Sequence, residues 1–141
     1  MKTSNKKIKK ISEYIGFFNT VLFCPEDIEI IKGAPSSRRK FLDVNIGQID
    51  CDYLTNLINY KKILKQRNQL LKEISENQKF DEQLLEILTS QLITEAEKIV
   101  SARVKFVEDT NYSFNRCVDS ISSGKEEEKI VYKPCCDVDK K

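Results

Sequence analysis

Leu57, Leu64 and Leu71 stand seven residues apart, and Leu85, Leu92, Ile99 and Phe106 repeat that interval later in the chain. This spacing constrains the fold more than any other feature, because apolar residues every seven positions form one stripe along an α-helix and call for a facing stripe. Leu54, Tyr60 and Ile74 reinforce the first seam, and Leu88, Ala96, Val100 and Val107 fill the edge of the second. The polar stretch ENQKFDEQ, residues 76–83, separates them, with Asp81 placed as the N-cap of the second helix. Two amphipathic helices joined by a short polar turn pack antiparallel. The first is predicted from about Cys51 to Asn77, and the second to about Ser122 with a kink near Asn111. Only four glycines and three prolines occur in 141 residues, so few tight turns are available for a strand meander.

The flanks read differently. FFNTVLF, residues 17–23, is an apolar run with the look of a buried strand, ended by Pro25. PEDIEIIKGAP then makes a helical turn that stops at Gly33 as a left-handed cap. Pro35 opens a further helix in which Phe41, Leu42 and Ile46 share a side, and Gly47 and Asp50 mark its break. EKIVYKP, residues 128–134, alternates like an edge strand closed by Pro134. The expected class is therefore mainly α: an antiparallel helical hairpin, a coiled-coil-like arm, with short flanking strands at its base. Its expected parts are a basic segment, strand and junction (1–35), the helical arm (36–122, turning near 76–83) and a C-terminal turn with edge strand (123–141).

Charge and chemistry narrow the function. With 24 basic and 22 acidic residues the net charge is only +2, so any nucleic-acid site must be a local patch. Such patches occur at Lys6-Lys7-Ile8-Lys9-Lys10, at Arg38-Arg39-Lys40 and around Lys61, Lys62, Lys65 and Arg67, opposed by Glu126-Glu127-Glu128. There is no histidine, which removes a histidine general base, a Ser-His-Asp triad and a histidine-ligated metal. The five cysteines, at 24, 51, 117, 135 and 136, lack the spacing of a disulfide framework or a zinc chelate and read as reduced thiols. Neither a signal peptide nor a run of about 18 apolar residues is present, so the reading is a soluble intracellular protein without a membrane segment. No Gly-x4-Gly-Lys-Ser/Thr occurs, so no phosphate cradle is expected. ISSGK, residues 121–125, reads as a helix C-cap and turn, since the three glutamates behind it would repel phosphate.

Two groups of cations carry more than one reading. Arg39 stands four residues before Asp43, the spacing of a surface ion pair, while Arg38 and Arg39 together could clamp a phosphate or carboxylate at the base of the hairpin. Lys61, Lys62, Lys65, Arg67 and Lys72 flank the first leucine seam. They are either the solvated face of a coiled coil or a stripe contacting duplex phosphates, and the scarcity of interleaved aromatics disfavours base stacking.

NTVLFCPEDIEIIKGAPSSRRKFLDVNIGQI resembles the RecF family of bacterial DNA replication and repair proteins, through Phe23-Cys24-Pro25-Glu26-Asp27, Lys32-Gly33-Ala34-Pro35 and Arg38-Arg39-Lys40-Phe41-Leu42-Asp43. YLTNLINYKKILKQRNQLLK, residues 53–72, continues the likeness with Tyr60, Leu64, Gln66, Arg67, Asn68 and Leu71. The resemblance implies the central arm, or lobe II, of an SMC-like ABC ATPase; the family's Walker A, signature and Walker B motifs have no counterpart here. It implies no catalysis and no cofactor or metal for this chain alone, with ATP and Mg belonging to full-length relatives. By resemblance, too, Glu26, Asp27, Lys32, Arg38, Arg39 and Asp43 form a lid-like junction coupling nucleotide state to the arm, with Lys32 where a glutamine is expected. The implied partners are double-stranded DNA at gaps or junctions, the RecR, RecO and RecA pathway proteins and a second copy of the protein, in the bacterial cytoplasm. A hairpin for protein docking or dimerisation without DNA contact is the alternative.

Overall fold

The computed structural model describes residues 2–3, 6–7, 22, 24–77 and 81–134. The chain divides into two compact units, Met1–Thr55 and Asn56–Lys141.

In the first unit two short strands, β1 (Lys2–Thr3) and β2 (Lys6–Lys7), pair antiparallel with Lys2 opposite Lys7. The apolar run expected as a buried strand at 17–23 lies outside the described residues, except for the exposed Leu22. A 3-10 turn, Pro25–Ile28, leads directly into α1 (Glu29–Lys32). Its start is tied by the Asp27 carboxylate, which accepts from the Cys24 amide at 2.8 Å, while the Asp27 amide donates to the Cys24 carbonyl at 3.0 Å. Helix α1 stops at Gly33, as expected, but the cap is extended (φ −80°, ψ −176°) and not left-handed. Glycine is required there by close approach: a Cβ would strike the Glu29 carbonyl oxygen, to which the Gly33 amide donates.

Pro35 then opens α2 (Pro35–Ile49) at the position where its missing N–H costs nothing. Gly47 does not break this helix. It is buried inside it, close to where α3 (Cys51–Asn77) begins, and a Cβ there would sit 3.6 Å from Leu54 Cδ1. The break falls at Asp50. Its amide donates to the Ile46 carbonyl at 2.8 Å, and its Oδ1 accepts from the amides of Asp52 and Tyr53, both at 2.9 Å. Tyr53 is 1% exposed, and its hydroxyl donates to Asp43 Oδ1 at 2.6 Å. The α2–α3 corner is thus held by two carboxylates, those of Asp50 and Asp43.

The second unit holds α3 from Asn56 onward and α4 (Glu82–Ser122). Asp81 caps α4 as its sequence position predicts, its carboxylate accepting from the Leu84 amide at 3.0 Å. The two helices meet side by side. Arg67 Nε donates to Thr89 Oγ1 at 3.0 Å, and residues 59–66 of α3 share a groove with 91–95 of α4, so the numbering runs in opposite directions. Leu57, Leu88, Ile99, Val100 and Val107 are buried. The expected seam drifts on α3: Leu57 is buried, Leu64 half-buried and Leu71 exposed at 37%, while Leu70 takes the half-buried place. A straight helix turns away from a strict seven-residue line by roughly 20° per heptad, and Leu71 is two heptads from Leu57.

Helix α4 continues through Asn111 as one 41-residue helix. Ser123 (φ 57°) and Gly124 (φ 71°) are both left-handed and end it, which matches the C-cap read from ISSGK. The edge strand expected at 128–134 is not formed: residues 125–134 have no regular structure. Instead, the Asn111 side chain takes the place of a neighbouring strand. Its Nδ2 donates to the Ile130 carbonyl at 2.8 Å and its Oδ1 accepts from the Ile130 amide at 2.9 Å. Two residues on, the Tyr132 hydroxyl lies 3.5 Å from Arg103 Nη1.

Candidate nucleic-acid interface

The five cations that form one string in sequence occupy three environments. Lys61, Lys65 and Lys72 fall at i, i+4 and i+11 on α3, one face of a helix. With Leu64, Asn68 and Gln69 they line an open trough of about 470 Å³ whose lining contains no carboxylate. Lys72 also lies 3.7 Å from Glu76, but both side chains are well exposed, so that pair is worth only tenths of a kcal/mol, roughly, and leaves the ammonium available. Asn68 entered the sequence reading only through the family likeness, and Gln69 was not singled out. Asn68 stands seven residues after Lys61 and three after Lys65, a spacing that placed it on the same face. Gln69 spends part of its capacity on Glu73, donating through Nε2 at 2.8 Å.

Lys62 lines a different hollow of about 410 Å³, shared by Asn59, Ile63 and Gln66 of α3 with Gln91, Thr94 and Glu95 of α4. Glu95 pairs there with Lys98 at 3.2 Å through Oε1, and its Oε2 is enclosed without a hydrogen-bond partner among the described residues. A phosphate is disfavoured in this hollow, because a carboxylate forms part of its wall. Arg67 is half-buried between Tyr60 and Ile74, each seven residues away, and its guanidinium is turned to Thr89. The Thr89 hydroxyl in turn donates to the Leu85 carbonyl at 2.7 Å.

The junction residues also separate. Arg38 is tied to the backbone before it: its Nη1 donates to the Gly33 carbonyl at 2.9 Å, with the Ile31 and Ile30 carbonyls at 3.4 and 3.5 Å. These belong to the end of α1, where a cation meets orphan carbonyls and the negative end of the helix dipole. Asp27 ties the turn before α1, and Asp43 accepts from the Tyr53 hydroxyl. Glu26, Lys32 and Arg39 are exposed. Desolvation raises the Cys24 thiol above its ordinary pKa, helped by hydrogen bonding to Glu26 and by the Asp27 charge. Among the described residues no three His, Cys, Asp or Glu side chains gather as a metal site, and no helix is long and apolar enough to cross a membrane.

No family model matches the chain. Curated relatives do. The DNA replication and repair proteins RecF of Bacillus thuringiensis (strain Al Hakam) and Bacillus cereus (strain B4264) are each 45% identical over 130 residues, covering 92% of this chain and 35% of the relative. Among solved structures, the recombination mediator protein RecF-ATPrS in the RecFOR pathway superposes with a TM-score of 0.82 at 43% identity, over 86% of this chain and 33% of that one. The RecF-ATP structure gives 0.81 at 42% identity, over 86% and 32%. The chain spans about a third of the length of the relatives it matches, and in both sequence and backbone it is similar to that segment of a RecF protein.

Proposed function

We propose that this chain is the helical arm, or lobe II, of a RecF-type DNA repair ATPase, contributing duplex-DNA contacts and partner contacts without catalysis of its own. The observation that carries this reading is the trough of Lys61, Lys65 and Lys72, three ammonium groups on one helix face with neutral amides between them and no carboxylate in the lining. Ammonium groups along an open helix face suit phosphate backbones, where they give affinity without reading sequence. ATP with Mg, gap recognition, dimerisation, the RecR, RecO and RecA partners and a bacterial cytoplasmic setting belong to this proposal through the family.

The test is fluorescence anisotropy of a labelled duplex with the 141-residue chain at low salt. Binding lost in Lys61→Ala/Lys65→Ala/Lys72→Ala but kept in Lys62→Ala supports the trough. Absence of binding by the folded chain sinks it and favours a protein-docking hairpin. That second reading has its own support in Ile58, Ile87 and Ile93, which lie on the two helices and are each more than half exposed.

The junction is the second part of the proposal. Arg38 and Asp27 hold the α1 hook in place, and Lys32 and Arg39 are the exposed cations through which a nucleotide-bearing segment would be sensed.

A further inference from the structure

Residues 125–134 turn back along α4. Successive attachment points, Ile130 at Asn111 and Tyr132 at Arg103, step along the segment while receding along the helix, so the segment runs antiparallel to it. The left-handed pair Ser123–Gly124 supplies the reversal. At Asn111 the contact is of an unusual kind. One side-chain amide both donates to and accepts from the backbone of one residue, the exchange that two residues make across an antiparallel ladder. A carboxamide has the donor and acceptor arrangement of a peptide group, so asparagine can stand in for a strand, and no shorter or purely accepting side chain can.

We propose that Asn111 is a releasable latch, which holds the segment after α4 against the helix by occupying the strand-pairing edge of Ile130. Both bonds are exposed to solvent, which keeps each of them weak. The Ile130 amide and carbonyl that the latch uses are those a neighbouring β-strand would take, so latching and strand pairing on that edge exclude one another. A sheet edge presented to Ile130 therefore opens the latch, and the last turns of α4 beyond Asn111 lose the loop closure that the latch provides.

Amide hydrogen exchange followed by NMR on the full 141-residue chain tests this, comparing wild type with Asn111→Ala and Asn111→Asp. In wild type the Ile130 amide is protected, and Asn111→Ala lowers that protection about tenfold or more, the size expected for loss of a local closed state. Amides of residues 116–122 lose protection with it, whereas those of residues 60–70 in α3 do not, which shows that the variant is folded. Asn111→Asp keeps an acceptor for the Ile130 amide but loses the donor to its carbonyl, and gives an intermediate value. An Ile130 amide that exchanges at the open-chain rate in wild type overturns the latch, as does protection unchanged in Asn111→Ala.

Discussion

Two glycines of this chain answer the same substitution in opposite ways. At Gly33 a methyl group would strike the Glu29 carbonyl, so Gly33→Ala must displace the end of α1. We expect it to lower stability by roughly 1–3 kcal/mol. At Gly47 the methyl meets only ordinary contact with Leu54 inside a continuous helix. Gly47→Ala should raise stability by about 0.5–1 kcal/mol through helix propensity. Urea midpoints of the two variants check both signs. Cys24 supplies a chemical counterpart. Its raised pKa favours the neutral thiol, so at pH 8 iodoacetamide should modify it more slowly than the exposed Cys51 and Cys117, read by peptide mass spectrometry. The sign for stability follows: a folded-state thiol pKa above the unfolded value contributes below the ordinary thiol range, and the contribution is lost as pH rises through that range and on to the raised value. None of these single-residue facts was legible in the sequence. Gly33 read as a left-handed cap and Gly47 as a break, because glycine's chain position does not say which neighbour approaches it.

At the scale of elements the sequence was far more informative. The opening proline Pro35, the N-cap Asp81 and the C-terminus at Ser122 follow from local chemistry that acts within a few residues, and all three stand where that chemistry puts them. The heptad line gave α3 and α4 but misjudged Leu71, since a seven-residue count ignores the slow rotation of a straight helix. The cations were the harder case. Lys61, Lys62 and Lys65 are neighbours in sequence, yet Lys62 lies 100° around the helix from Lys61 and lines a hollow with Glu95. A salt titration resolves them. With three phosphates neutralised by the trough, log K should fall against log salt with a slope of about −2.7. Each of Lys61→Ala, Lys65→Ala and Lys72→Ala should make the slope shallower by about 0.9, and Lys62→Ala should leave it unchanged. An equal effect of all four would return the site to an undifferentiated basic surface.

Over the whole molecule, a net charge of +2 already excluded a global basic footprint, and the helical class was readable from two seams and a shortage of turn residues. The expected edge strand at 128–134 failed for a reason no local pattern contains: a strand needs a neighbour, and here Asn111 of α4 supplies the pairing groups. The junction's proposed role can be tested only in a full-length relative. There, replacing the residue equivalent to Arg39 with alanine should weaken the dependence of DNA affinity on ATP without changing affinity in its absence, and unchanged coupling would remove the junction from the mechanism. The corner at Asp50 bears on a different matter, the tolerance of this fold to changes in chain length. One residue ends α2 through its amide and starts α3 through its carboxylate, so the two helices are joined without a spacer. A single inserted residue there would separate the two duties and rotate α3 by about 100° about its axis relative to α2. Insertions and deletions among functional relatives should therefore be absent at this corner, and linkers or reporter tags placed in it should abolish folding of the first unit.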